Sequence, residues 1–153
     1  MDKILSNELS AKLLESMRGI MRYAGMAISK EMEECDVTWP QFHLLKTVRY
    51  QGRIPVTSLS NRLMIAAPTA SRMINGLCSK GLLEKEKDSI DQRITHVKAT
   101  GSGLRLTEKL DERLQHVLTE MFEHEDIEEV EKSVDCLSRV ADRWSAAEKR
   151  SEK

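Results

Sequence analysis

The stretch from Leu77 to Gly103 constrains the fold of this chain more than any other segment. It is typical of a helix end, a strand over residues 82–86, a charged turn and a second strand over residues 93–98. Thr100 then favours the start of another helix. Two short strands around a charged turn, placed directly after a short helix, predict a β-ribbon with the shape of a DNA-binding wing.

Apolar residues recur at helical spacing before and after this ribbon. The spacing predicts one long amphipathic helix from Glu8 to about Met32. Three shorter helices are predicted over residues 38–50, 57–63 and 68–80. Their boundaries have typical end signals, with Thr57 as an N-cap, Pro68 at a first helical position and Gly52 after a helix end.

Two further helices are predicted after the ribbon, one from Thr100 to about Glu123 and one that begins at Ile127. The last helix has apolar residues at alternating steps of three and four, which is a heptad seam. The seam residues are Ile127, Val130, Val134, Leu137, Ala141 and Trp144. Packing of this seam against the first helix is the alternative to a contact with a second copy of the chain.

The predicted fold class is mainly α with a small two- or three-stranded β wing. It is a winged helix-turn-helix with long N- and C-terminal dimerisation helices. Residues 1–36 form the N-terminal dimerisation helix, residues 37–103 the DNA-binding lobe and residues 104–153 the C-terminal dimerisation helices. So small a core cannot bury all the apolar residues of the long helices, and this favours a homodimer.

The charge of the chain is unevenly divided along its length. Residues 38–103 contain ten lysines and arginines and four acids, a net charge of +6, whereas the two flanks sum to −7. A basic middle between acidic flanks favours a surface that faces a polyanion such as double-stranded DNA. No apolar run is long enough to span a bilayer, so no membrane partner is expected. The absence of a signal pattern and the three widely spaced cysteines favour the cytoplasm.

The helix over residues 68–80 is the candidate for reading DNA. Its outward residues are small or polar, and the segment from Thr57 to Lys80 contains no acid that would repel phosphate. Arg72 can bind guanine through two hydrogen bonds, and Asn75 can pair with adenine. On the wing, Arg93 can enter a minor groove, and Asp91 is positioned to hold its guanidinium. The predicted DNA-binding residues are Thr57, Pro68, Thr69, Ser71, Arg72, Asn75, Lys87, Ser89, Asp91 and Arg93.

Several motifs resemble those of the MarR family, the multiple antibiotic resistance regulators. The run Asp91-Gln92-Arg93 followed by Thr100-Gly101-Ser102-Gly103 is similar to the family's D-x-R…T-x-x-G signature. The segments 38–45, 59–63 and 80–84 are similar to its "LTxxQFxLL", "LAxRL" and "KGLVER" motifs. Ala66 and Ala67 depart from the pattern, since a polar N-cap commonly precedes the recognition helix.

The resemblance implies a homodimeric transcriptional regulator, expected to be a repressor, that places two recognition helices in a pseudo-palindromic operator. It also implies a small phenolic or aromatic effector bound between the dimer helices and the DNA-binding lobe. On this sequence the pocket residues would be Met17, Arg18, Met21, Arg22, Trp39 and His43. A methionine stripe is more often core than pocket.

Other functions receive weaker support from the sequence. His116, Glu120 and His124 share a helix face at a spacing that can bind zinc, but a solvated acidic face is the simpler interpretation. An oxidant-sensing role for Cys35, Cys78 or Cys136 is not favoured, and no cofactor or metal is expected. Motifs typical of enzymes are absent. The remaining alternative is a winged-helix module that binds proteins and not DNA.

Overall fold

The computed structural model describes residues 6–151, with side chains up to residue 143. The chain folds in the order α1 (Asn7–Ala27), α2 (Ser29–Glu34), α3 (Trp39–Gln51), β1 (Ile54–Pro55), α4 (Val56–Arg62), α5 (Ala67–Ser79), β2 (Leu83–Lys87), β3 (Thr95–Ala99), α6 (Gly101–Met121) and α7 (Ile127–Ser151). This is the mainly helical winged helix-turn-helix fold that the sequence predicts.

The prediction of one continuous N-terminal helix to Met32 is wrong. The backbone leaves helical geometry at Ile28, where φ is −103° and ψ is 4°. The Ser29 hydroxyl donates a hydrogen bond of 2.8 Å to the Met26 carbonyl oxygen, and such local bonds compete with a continuous helix. The apolar stripe nevertheless continues through the break, because Ala24, Ile28 and Met32 are all buried.

The wing is a three-stranded antiparallel sheet in the order β1-β3-β2. Val97 of β3 pairs with Ile54 on one side and with Lys85 on the other, and its side chain is fully buried. The strands start one or two residues later than predicted. Arg93 therefore lies in the turn before β3 rather than at the start of the strand.

The core of the lobe is mainly aliphatic, with one phenylalanine, and lies between α3, α4, α5 and β3. Its fully or almost fully buried side chains are Phe42, Leu44, Leu45, Val48, Leu59, Ala70, Ile74, Leu77 and Val97. Helix α3 begins at a fixed point, because the backbone N–H of Thr38 donates to Oε1 of Gln41 at 3.0 Å. Gly52 follows its last residue with a φ of +71°, a conformation that favours glycine.

The Thr-x-x-Gly motif fastens the wing to α6. The backbone N–H of Thr100 donates to the Leu82 carbonyl oxygen at 3.1 Å, and the Thr100 hydroxyl donates to the Gly81 carbonyl oxygen at 2.6 Å. The same hydroxyl oxygen accepts a bond of 3.1 Å from the backbone N–H of Gly103, as an N-cap does. A Cβ at Gly103 would overlap the Leu82 carbonyl group, so the motif requires glycine there.

The chain divides into two compact units, one that reaches Gln115 and one that begins at His116. In the second unit, α7 presents an apolar stripe to solvent, since Ile127 is 67% exposed and Leu137 is 46% exposed. These are residues of the predicted heptad seam, but its last member, Trp144, lies outside the side chains that the structure describes. Over residues 6–151, no helix has the length and apolar character to cross a membrane.

Candidate nucleic-acid interface

Helix α5 presents the predicted recognition surface. It begins at Ala67, one residue earlier than predicted, and its N-cap residue, Ala66, provides no side-chain hydrogen bond. Burial of Ala70, Ile74 and Leu77 fixes the rotation of the helix about its axis. The opposite face is therefore turned outward, and its residues are Pro68, Thr69, Arg72 and Asn75, which are exposed, and Ser71, which is half-buried.

Arg72 is the free cation of this face. Its side chain is exposed, and among the described residues its guanidinium has no carboxylate within ion-pair distance. No acid occurs between Thr57 and Lys80 to compete for it. An unpaired guanidinium on an exposed helix keeps its donors available for a phosphate or a base edge.

A cleft of about 300 Å³ separates α5 from the ribbon and brings together residues from three predicted parts of the site. Thr57 reaches it from α4, Ser71 from α5 and Arg93 from the wing turn. The prediction of Thr57 as an N-cap is wrong, because α4 starts at Val56 with Pro55 as its N-cap residue. Thr57 is instead an exposed residue of the first turn, on the wall of the cleft.

Lys85 also lines this cleft and was not predicted from the sequence. It lies on β2, and its Nζ donates a hydrogen bond to Oδ1 of Asn75 on the recognition helix. The alternation of lysine and glutamate over residues 84–87 contained the signal, because a period of two places Lys85 and Lys87 on one face of the ribbon. Nζ of Lys87 donates to the Thr95 hydroxyl at 3.0 Å on the neighbouring strand.

The tip of the wing is ordered by Asp88. Its Oδ1 accepts hydrogen bonds from the backbone N–H groups of Ile90 at 3.0 Å and Asp91 at 3.1 Å. These bonds hold the pKa of the Asp88 carboxyl below its usual value, and Arg53 adds to the effect. Ser89, another predicted contact, is exposed within this turn.

Asp91 does not hold the Arg93 guanidinium, in contrast to the prediction. Its Oδ1 accepts a hydrogen bond of 2.9 Å from the backbone N–H of Arg93, and its carbonyl oxygen accepts one of 2.9 Å from Ile94. The carboxylate therefore fixes the backbone that presents Arg93 and leaves the side chain free. In the described part of the chain, the exposed Arg93 guanidinium has no ion-pair partner.

A cluster of charged residues lies beside the turn end of the ribbon and was also missed. Arg53 forms ion pairs with Glu86 and, at 3.3 Å, with Oδ2 of Asp88. The bond from Arg53 and that from Lys98 lower the pKa of the Glu86 carboxyl, and the pKa of the Arg53 guanidinium is raised in turn. His96 is buried beside them, with its Nδ1 3.7 Å from Oδ2 of Asp88.

A second cavity, of about 310 Å³, lies along α3 and contains part of the predicted effector pocket. Met21, Trp39 and His43 line it as predicted, whereas Met17, Arg18 and Arg22 do not. The guanidinium of Arg22 instead lies over the ring of Tyr23, 5.2 Å from its centroid. The lining residues that the sequence did not predict are Phe42, Lys46, Thr47, Tyr50 and Leu114.

Lys46 is the cation of this second cavity. Its ammonium group lies 5.9 Å from the ring centroids of both Phe42 and Tyr50, and it forms an ion pair with Asp111 of α6. Arg49, one turn further along α3, also pairs with Asp111 at 3.4 Å. The cavity therefore combines aromatic walls with a cation that Asp111 neutralises.

The structure does not support the weaker hypotheses of a zinc site and of an oxidant-sensing cysteine. Within the described residues, no group of three or more histidine, cysteine or acidic side chains is arranged to hold a metal ion. His116 instead lies 3.7 Å from the carboxylate of Glu120 on the same helix. Cys78 is half-buried, and burial raises the pKa of its thiol, which disfavours the reactive thiolate.

A short helix with an acid-free outer face, beside an antiparallel ribbon with a free arginine in its turn, defines a winged helix DNA-binding domain. Residues 37–95 match the model of the MarR family. Over this segment the chain is similar to MarR-family domains, and DNA-binding transcriptional regulation is the role that this similarity supports.

Two curated relatives are HTH-type transcriptional regulators. The chain is 27% identical over 119 residues to YsmB of Bacillus subtilis, an HTH-type transcriptional regulator, and the match covers 78% of this chain and 80% of the relative. It is 23% identical over 141 residues to SarZ of Staphylococcus haemolyticus, also an HTH-type transcriptional regulator, with 91% and 90% of the two chains covered.

Solved structures agree with the fold. A mutant of MarR from E. coli superposes with a TM-score of 0.72 at 21% identity, over 92% of this chain and 99% of that one. A mutant MarR complexed with operator DNA superposes with a TM-score of 0.68 at 23% identity, over 84% and 93% of the chains.

Proposed function

We propose that this protein is a sequence-specific repressor that acts as a homodimer on a pseudo-palindromic operator. The observation that carries the proposal is the pair of unpaired, exposed guanidinium groups, Arg72 on α5 and Arg93 on the wing turn. The segment from Thr57 to Lys80, which contains Arg72, has no acid. Two such cations beside a helix that can enter a major groove match the needs of duplex recognition.

Recognition is divided between the helix and the wing in this proposal. Arg72 and Asn75 read base edges in the major groove, while Pro68, Thr69 and Ser71 allow close approach to the backbone. Thr57 contacts phosphate at the start of α4. Arg93 enters the adjacent minor groove, and Lys87, Ser89 and Asp91 support the contact of the wing.

The exposed apolar faces of the terminal helices support a homodimer. Besides the stripe on α7, helix α1 exposes Leu13 at 40%, Met17 at 50% and Met21 at 52%. Apolar side chains at helical spacing are normally covered, and a second copy of the chain supplies matching apolar faces for this purpose. Two subunits then place their recognition helices in half-sites about one helical turn, roughly 34 Å, apart.

The cavity along α3 supports regulation by a small aromatic acid. Its walls include Trp39 and Phe42, whose rings meet edge to face with centroids 5.9 Å apart. An acidic effector would compete with Asp111 for Lys46 and so disturb the contact between α3 and α6. Apolar walls with one polar anchor are typical of small-molecule sites.

The function is tested with a duplex that is selected from a random pool and then titrated by fluorescence anisotropy. Wild-type affinity should fall steeply as salt rises, because bound phosphates release counterions. Arg72→Ala should cost about 1–3 kcal/mol and relax the preference at one base position. Arg105→Ala on α6 removes the same charge away from α5 and should leave that preference intact.

Two results would contradict the proposal. If Arg72→Ala changes neither affinity nor base preference, Arg72 does not read the operator. If binding does not respond to salt, or no duplex is selected, the alternative of a protein-binding winged helix is favoured instead.

A further inference from the structure

Asp88 is the residue on which the shape of the wing turn depends. Besides the two bonds that its Oδ1 accepts, its backbone N–H donates to the Ile94 carbonyl oxygen at 3.0 Å. Its own carbonyl oxygen accepts a bond of 3.0 Å from the side-chain amide of Gln92. One residue therefore closes the turn through both its main chain and its side chain.

Arg53 reaches Asp88 from outside the ribbon. It lies in the connection between α3 and β1, directly after Gly52. Its Nη2 contacts Oδ2 of Asp88, the oxygen that the turn does not use, while its Nε donates to Oε1 of Glu86 on β2. A planar guanidinium that joins two carboxylates fixes their relative position more firmly than a single-point cation does.

These contacts form a continuous path to the candidate minor-groove residue. Arg53 holds Asp88, Asp88 holds the backbone N–H groups of Ile90 and Asp91, and Asp91 holds the backbone N–H of Arg93. Every link joins side chains or main-chain groups within hydrogen-bond or ion-pair distance. The position of Arg93 thus depends on an arginine in a different segment of the chain.

We propose that Arg53 is a positioning residue for the wing, which orients Arg93 towards DNA through Asp88 without itself binding DNA. This inference rests on the proposed function, since it assigns a cause to the geometry of the minor-groove contact. Arg53 has both carboxylates of the cluster as partners, so its charge is already neutralised. A neutralised guanidinium releases little additional energy when it meets a phosphate, in contrast to the unpaired Arg93.

A double-mutant cycle separates positioning from direct contact. Anisotropy titrations with the selected duplex compare wild type, Arg53→Gln, Arg93→Ala and the double variant. Loss of two partly exposed ion pairs should weaken binding by about three- to tenfold in the wild-type background. In the Arg93→Ala background the same change should have less than a twofold effect. Arg53→Lys, which can hold one carboxylate at a time, should restore part of the affinity.

A structural readout accompanies the cycle. In amide NMR spectra, Arg53→Gln should move the Ile90 and Asp91 signals and speed their hydrogen exchange, while the signals of α5 stay in place. Equal losses from Arg53→Gln in both backgrounds would show that Arg53 contacts DNA directly and would overturn the inference. Unchanged wild-type-background affinity, or unchanged turn amides, would overturn it as well.

The same titrations distinguish failure of the inference from failure of the function. If Arg93→Ala weakens binding and Arg53→Gln does not, the wing binds DNA and only the role of Arg53 is wrong. If the wild-type protein binds no duplex, the proposed function is wrong and the inference is overturned with it.

Discussion

Replacement of Gly103 by alanine tests the close approach of α6 to the wing. A Cβ at this position would lie 3.1 Å from the carbonyl carbon of Leu82, closer still to its oxygen, and 3.3 Å from Cδ1 of Leu45. The Leu82 carbonyl cannot retreat easily, because its oxygen accepts the hydrogen bond from the Thr100 backbone. The new methyl group must therefore push the first turn of α6 away from the wing.

Two opposing terms set the size of the effect. Forcing a methyl group into a filled site costs about 3 kcal/mol, the upper part of the usual range, because the obstacle is main chain. Alanine recovers about 1 kcal/mol through its higher helix propensity. The net loss is then about 2 kcal/mol in the free energy of unfolding, or roughly 4–8 °C in the melting temperature of a chain of this size.

Urea unfolding followed by circular dichroism measures the change, with all variants at one protein concentration because subunit association adds to stability. Gly101→Ala is the matched control, since its Cβ would meet only the flexible end of Arg105 at an ordinary 3.5 Å. The control should be neutral or slightly stabilising. If Gly103→Ala is as stable as Gly101→Ala, the close approach of α6 to the wing is wrong.

Two further predictions concern the dimer and the effector. Leu137→Glu places a charge on the exposed stripe of α7 and should give a monomer at micromolar concentration in sedimentation velocity. The control variant Arg139→Gln should remain dimeric. A wild-type protein that is itself monomeric would refute the dimer. The chain has two tryptophans, and Trp144→Phe leaves only Trp39. Its fluorescence should be quenched saturably by salicylate, and Thr47→Phe, which fills the cavity, should abolish this effect. Equal quenching in the filled variant would place the ligand elsewhere.

Helix and strand types could be predicted because local signals agree with the tertiary fold. The predicted helix boundaries agree with the observed ones within a residue or so at four marker residues: Gly52, Pro68, Gly81 and Thr100. The break at Ile28 could not be predicted, because Ala24, Ile28 and Met32 keep helical spacing through it. A single serine hydroxyl bond is too common a feature to signal a break by itself.

The candidate site was predicted where exposure follows from helical periodicity, as for Arg72. It was missed where a partner distant in sequence decides the role of a side chain. Arg53 lies 33 residues from Glu86, and nothing in the local sequence of either one indicates their contact. The sequence analysis predicted that the Asp91 carboxylate binds the Arg93 guanidinium, but the carboxylate binds the Arg93 backbone N–H. In a turn, a carboxylate reaches a nearby main-chain N–H more easily than it reaches the end of a flexible arginine side chain.

The hydrogen bond from Lys85 to Asn75 affects which bases the recognition helix can bind. Because Lys85 already donates to Oδ1, the Asn75 amide keeps one lone pair of that oxygen and both of its hydrogens for a base. A paired contact with adenine must then share Oδ1 with Lys85, whereas an edge that only accepts, such as that of guanine, needs the amide hydrogens alone. Sequence preference at that step is thus governed partly by a strand residue that never needs to enter the groove.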